Sequence, residues 1–159
     1  MVEKFTFFWN GPFSNWAKTP FRYKGVDFCT AEQAMMWEKA MTFADDITAA
    51  KILATNDAAR QKQLGREVKG YVDETWSAIR YDVVKSILFH KFTQHKPSRL
   101  ALLETAGTTL VEASPYDKIW GIGLAADNPA AQNRATWQGL NLLGQALTEV
   151  RNQLLHERA

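Results

Sequence analysis

A chain of 159 residues, 46% of them hydrophobic, carries enough apolar side chain for one packed domain. Its net charge of +2 is too small to argue for attraction to nucleic acid or membrane, and its single cysteine, Cys29, excludes an intramolecular disulfide framework. No apolar run reaches the ~18 residues of a membrane span, and no charged-then-apolar leader opens the chain, so the expectation is a soluble, cytoplasmic protein.

Residues 5–9 are aromatic and β-prone, a short strand that the Gly11-Pro12 turn stops. Phe13-Ser14-Asn15-Trp16 then forms a loop that sets polar groups between aromatic rings. Residues 21–23 and 26–28 flank Lys24-Gly25, a hairpin signal that delivers the chain into Thr30. Thr30 followed by Gln33 reads as a capping box, so a helix begins there and runs to about Ala40, apolar almost all round and largely buried. Asp45 and Asp46 precede an amphipathic run over 47–54. Asn56 is expected to cap the next helix, which has Leu64 and Val68 on its apolar side and ends at Gly70. Asp73 opens the longest helix, through Phe92, stopped over 94–97 with His95 at its terminus. Ser98 is expected to cap a shorter one. Residues 108–112 have the β-branched character of a strand, 125–136 read as a loop, and a last helix is expected over 137–155. With no repeat or linker, the fold class is α+β: a single, compact, mostly helical domain over 1–159 with a few short strands.

The stretch that carries chemistry is Thr30–Ala40 in numbers 30–40. Glu32 and Lys39 fall about 20° apart around the helix and about 10 Å apart along it, one carboxylate and one amine on a shared apolar face. The helix dipole favours an acid in a first turn, and lysines often reach out of apolar faces into water. Against that, burial lowers a lysine's pKa and makes a neutral, nucleophilic amine accessible. Spacing alone leaves both readings open. A second stretch, Asp117 to Gly123, combines an acid, the flat ring of Trp120 and glycines that allow close backbone approach, though such glycines serve tight turns equally well. Arg66 and Arg80, with Lys62 and Lys69, are candidates for a phosphate clamp, the alternative being a solvated helix face, which wins for Lys62. Met35 and Met36 suit either a core or an adaptable pocket wall, and Cys29 suits core filling. Six tryptophans and nine phenylalanines are many for this length, and Trp16 and Trp76 join Trp120 as candidates to line a pocket for a flat ligand. The three histidines show no metal-ligand spacing, so no metal or cofactor is expected.

Taken in order, these residues resemble a family. Phe-Ser-Asn-Trp at 13–16 precedes Thr-Ala-Glu-Gln, with Lys39 seven residues after the glutamate. Leu-Gly-Arg follows at 64–66, and Lys91-Phe92 leads to Gln94-His95. Leu-Val-Glu at 110–112 precedes Asp117 and Trp120-Gly121-Ile122-Gly123, and Gly139 to Gly144 leads to Val150-Arg151. The pattern is similar to the NADAR family, the NAD- and ADP-ribose-associated domain with its YbiA-like members, over about 5–155. The resemblance implies an N-glycosidase that hydrolyses a ribose carbon–nitrogen bond. Its members act on phosphorylated early riboflavin intermediates or remove ADP-ribose from modified guanine. It places the family glutamate on Glu32 and the family lysine on Lys39, which in ADP-ribose-removing members is thought to form a Schiff base with the opened sugar. It also implies pocket roles for Asp117 and Trp120, and polar roles for Asn15, Arg66 and Asn141, with Gly121 beside them. The chain departs from the bacterial pattern at Gln33, where histidine commonly stands, and over 124–138, which replaces a short glycine-rich link.

The expected partner is a small phosphorylated N-riboside or an ADP-ribosylated guanine, in DNA or free, with no membrane partner. One alternative is a non-catalytic module that binds ADP-ribose or a related nucleotide. Another is a nucleic-acid-binding domain using exposed tryptophans and lysines, which the modest charge opposes.

Overall fold

The computed structural model describes residues 2–158. Among them are six α-helices and four short strands, the mostly helical α+β composition the pattern predicts. The chain divides into two compact units, Asn15–His95 and a second made of the segments on either side of it.

In the Asn15–His95 unit, β2 (Phe21–Tyr23) and β3 (Val26–Phe28) form an antiparallel hairpin, numbered after an earlier strand β1 (Phe5–Phe8) of the other unit. Lys24 and Gly25 both take positive φ, 52° and 75°, as a two-residue turn between right-twisted strands requires. Helix α1 (Ala31–Thr42) follows, with the Thr30 side chain accepting from the Gln33 N–H. Only half of the capping box forms. The Gln33 side chain accepts from the Cys29 N–H at 2.8 Å and donates to the carbonyls of Ile52 and Thr55 at 3.0 and 3.1 Å. The amide thereby joins the first turn of α1 to the end of α2 (Asp46–Leu53), which serves buried backbone groups that would otherwise lack partners. Helix α3 (Ala58–Arg66) is capped by Asp57 and not by Asn56, because the Thr55 hydroxyl takes the Asp57 N–H at 3.2 Å and the turn carries the chain one residue further before helical dihedrals begin. It ends at Arg66, so Val68 packs into the core from the following turn, and Gly70 bends that turn at φ 78°. Helix α4 (Asp73–Gln94) is the longest, with His95 at its end. Helix α1 lies against α2, α3 and α4.

In the other unit β1 pairs in parallel with β4 (Thr109–Glu112), Phe5 opposite Thr109 and Phe8 opposite Glu112. Helix α5 (Lys96–Leu103) starts ahead of Ser98, which is buried inside it. Pro97 stands in its first turn, where a missing N–H costs nothing. Helix α6 (Leu142–Arg158) packs on β4 and begins later than the expected residue 137. The cause is Asn141, at φ 54°, whose amide accepts from the Glu112 N–H and donates to the Leu110 carbonyl, both at 3.0 Å. That commitment to the edge of β4 holds the backbone out of helical conformation until Leu142. The segment read as a loop over 125–136 contains two short 3₁₀ turns, Pro129–Gln132 and Arg134–Thr136. Ala131 from the first packs with Val111, Ile122 and Leu124.

Candidate active site

Helix α1 presents the Glu32 carboxylate and the Lys39 amine at opposite ends, and its other acid, Glu38, pairs with Lys24 at 3.1 Å. Glu32 is 4% exposed, and its backbone N–H donates to the Asn15 carbonyl at 2.9 Å, so the 13–16 loop is fastened to the first turn of α1. Lys39 is half-buried, its Nζ 4.6 Å from the centroid of the Tyr71 ring. The amine is held below the ordinary lysine range, first by burial and also by the guanidinium of Arg66, while the carboxylates of Glu32 and Asp73 pull the other way. Burial, two acids and one cation therefore act together on the charge of this amine. Tyr71 donates its hydroxyl to Asp73 at 2.7 Å, which together with burial pushes the phenol up.

Two features bring α3 and the Tyr71 turn to α1. Gly65 lies so close that a Cβ there would sit 1.9 Å from the Met36 Sδ, so any larger residue would displace the Met36 side chain against which α3 carries Arg66 to this face. Asp45 caps α2 through the Thr48 N–H at 3.1 Å and takes the Lys69 N–H at 2.9 Å with its other oxygen, which anchors the chain two residues before Tyr71. Neither Tyr71 nor Asp73 stood out from the sequence as a site residue. Asp73 signalled only a helix start, and nothing local connects residue 71 to residue 39.

Of the other candidates in this unit, Asn15 is 7% exposed and its Oδ1 is buried with no hydrogen-bond partner. The Nε of Arg80 is likewise buried without one. Each such atom costs about 1–3 kcal/mol of desolvation that the fold leaves unrecovered. Arg66 is exposed at the end of α3. Trp16 is 46% exposed, whereas Trp76 is 5% exposed, packed in the core from the first turn of α4.

The remaining candidates belong to the other unit and form a cluster of their own. Asp117 Oδ1 accepts from the N–H groups of Ile119 and Trp120 at 2.9 and 2.8 Å, a turn that sets the half-buried Trp120 in place. Gly121 is where a Cβ would meet the Asp117 and Glu112 carbonyl oxygens at 2.9 and 3.0 Å. Asn141 is buried with its amide engaged on β4. The 117–121 turn and the Asn141 bend are thus joined through backbone groups: Asn141 N–H donates to the Gly121 carbonyl at 3.0 Å.

The comparison that decides the family is its extent: the family model described as NADAR domain matches residues 6–155. The chain belongs to the NADAR family. It is 38% identical over 146 residues to N-glycosidase R617 of Acanthamoeba polyphaga mimivirus, covering 89% of this chain and 86% of that one. It is 30% identical over 148 residues to N-glycosidase YbiA of Escherichia coli K12, covering 93% and 84%. A riboflavin biosynthesis protein of Vibrio vulnificus is 34% identical over 116 residues, which is 73% of this chain and 29% of that longer one. The NMR structure of E. coli YbiA superposes with a TM-score of 0.80 at 28% identity, over 99% of this chain and 89% of that one.

Within this NADAR chain, both departures from the bacterial pattern have structural occupations. Gln33 is buried and spends its amide on three backbone groups. The 124–138 segment closes over β4 through Ala131 and through Trp137, whose Nε1 donates to the Ala131 carbonyl at 2.8 Å. Arg134 lies 4.8 Å over the Trp137 ring and pairs with Glu3. No helix among the described residues is long and apolar enough to cross a membrane.

Proposed function

We propose that this protein is an N-glycosidase acting at the C1–nitrogen bond of a ribosyl substrate, with Glu32 as acid/base and Lys39 as the attacking amine. The observation that carries this reading is that Lys39 is half-buried with its amine held below the ordinary range, in the field of a carboxylate from the same helix. A neutral amine is the form that can attack carbon. In the reaction, the glycosidic bond breaks and its electron pair goes to the departing nitrogen, which takes a proton from Glu32. The Lys39 Nζ adds to the C1 cation so formed, the bond from C1 to the ring oxygen breaks with that oxygen taking a proton from Nζ, and an imine joins C1 to Lys39. Water then adds to that carbon, the C–N bond to Lys39 breaks, and the free sugar leaves with net consumption of one water.

Arg66 and Arg80 suit a phosphate on this substrate, Arg80 because its Nε is a buried donor without a partner. Asn15 and Trp16 fit the ribosyl portion or the base, and Trp76 supports the first turn of α4 from within. Asp117, Trp120, Gly121 and Asn141 enter as substrate-handling residues through the resemblance. Asp117 and Asn141 act there through the loop shapes their side chains impose. The name of the Vibrio vulnificus relative, a riboflavin biosynthesis protein, favours a phosphorylated ribosylaminopyrimidine as substrate; the resemblance adds ADP-ribosylated guanine as a second class, and the expected setting is cytoplasmic.

The test is incubation with ADP-ribosyl-guanosine, ADP-ribosylated DNA, NAD and ribosylaminopyrimidine phosphates, with mass spectrometry of the released fragments. Borohydride added during turnover should fix the sugar onto Lys39; turnover without any adduct there removes the imine step. Glu32→Gln should melt like the parent and lose about 10²–10⁴-fold in rate. Binding without cleavage by the parent protein would turn the reading into a non-catalytic nucleotide module.

A further inference from the structure

Asn15 combines two properties that a structural residue has no reason to combine. Its main chain is committed, the carbonyl accepting from the Glu32 N–H at 2.9 Å. Its side chain is not: Oδ1 is buried with no partner, in a residue only 7% exposed. A buried amide oxygen without a donor is unfavourable, and an apolar side chain of the same size would remove that cost without disturbing the main-chain bond. Thr30 and Gln33, by contrast, are fully spent on the same end of α1: Thr30 caps Gln33, and Gln33 serves three backbone groups. The open acceptor therefore stands alone at the point where the loop joins the helix turn that bears Glu32.

We propose that the side-chain carbonyl of Asn15 accepts a hydrogen bond from a donor on the ribosyl substrate, and so selects substrates that carry an N–H or O–H group beside Glu32. The inference rests on the N-glycosidase reading of Glu32 and Lys39 and assigns it a specificity element. The donor has two chemical sources, a ribose hydroxyl or an exocyclic amine of the departing base. A buried acceptor rejects a ligand that lacks its donor much more strongly than an apolar pocket rejects a missing methylene, because the acceptor is then left unpaired.

The experiment compares the parent protein with Asn15→Leu, reading melting temperature, Kd and kcat/KM for a ribosylaminopyrimidine phosphate, its 2′-deoxyribosyl analogue and its analogue lacking an exocyclic amine that is not bonded to the ribose. Asn15→Leu should melt at or above the parent, since it removes an orphaned polar atom. It should lose about 100-fold or more in kcat/KM on the complete substrate. The parent should discriminate by a similar factor against one of the two analogues, and Asn15→Leu should not; which analogue it is identifies the donor. A variant that melts well below the parent makes the amide structural and overturns the proposal. So does full activity in the variant, or equal losses on all three ligands. Failure of the underlying reading looks different: the parent then binds without cleaving, and the Kd values alone still report whether Asn15 discriminates.

Discussion

The ammonium of Lys39 lies 4.6 Å from the centroid of the Tyr71 ring, and the hydroxyl of that ring is donated to Asp73 at 2.7 Å. The aromatic face favours the charged amine, as do the carboxylates of Asp73 and Glu32, while burial and Arg66 favour the neutral one. Residues from three helices and a turn thus act on the protonation of Lys39 in opposite directions. Two substitutions test this balance in opposite directions. The rate should rise with pH as the amine loses its proton. Asp73→Asn removes an anion, so that rise should move to lower pH; Arg66→Met removes a cation, so it should move to higher pH. Tyr71→Leu should move it as Asp73→Asn does, and Tyr71→Phe, which keeps the ring, by less. The pH dependence of kcat/KM measures all four, and an unmoved limb in both Asp73→Asn and Arg66→Met would show that Lys39 does not set it.

The contact between Gly65 and Met36 should be energetically coupled. A Cβ at residue 65 would fall 1.9 Å from Sδ and 2.9 Å from Cγ of Met36, so Gly65→Ala should cost about 1–3 kcal/mol by overpacking. Met36→Ala alone opens a cavity and should cost about 2–5 kcal/mol. Each change relieves the other, so the double variant should be more stable than the sum of the two losses allows. Urea denaturation of the four proteins gives the coupling; simple additivity would mean α3 shifts away from α1 on its own.

Stability should rise with pH above neutrality because of Lys91. This side chain is fully buried, its Nζ 5.0 Å from the Phe92 ring centroid, and burial lowers its pKa to about 7 from the ordinary 10.5. Between those values the unfolded chain holds the proton and the folded one does not. The unfolded state therefore binds more protons, and the free energy of unfolding increases with pH, by at most about 1.4 kcal/mol per unit. Lys39, shifted in the same direction, adds to the slope. The urea midpoint should climb from pH 7 to pH 9, and Lys91→Met should flatten most of that climb. A parent midpoint that is flat over the range rejects the assignment.

Helix α1 ends in a six-to-one turn in which the Asp45 N–H donates to the Ala40 carbonyl at 2.9 Å and the Ala44 N–H to Met41 at 3.1 Å. This closure needs a left-handed residue at position 44, and alanine occupies it at φ 55°. Ala44→Gly should therefore stabilise the protein by about 0.5–1 kcal/mol, the steric relief exceeding the entropy that glycine adds to the unfolded chain. Thermal melting detects this gain, and a loss would mean the turn tolerates the Cβ.

What the sequence by itself determined was set by near neighbours. The hairpin at Lys24-Gly25, the Thr30 cap, the shared face of Glu32 and Lys39 and the long helix from Asp73 all follow from dihedral preference and period. These act over a few residues and are written in those residues. The cap at Asp57 and the helix start at Leu142 were not legible, because each is decided by a side chain bonded to backbone outside the helix: the Thr55 hydroxyl in one case, the Asn141 amide on β4 in the other. The same holds for the chemistry. Spacing could set an acid and an amine on one helix, but whether the amine is charged depends on burial, Arg66, Asp73 and Tyr71. Those groups lie on other elements, Arg66 on α3, which packs on Met36 at Gly65, and Tyr71 and Asp73 beyond it. Electrostatic energy depends on distance through space, and local sequence does not encode that distance.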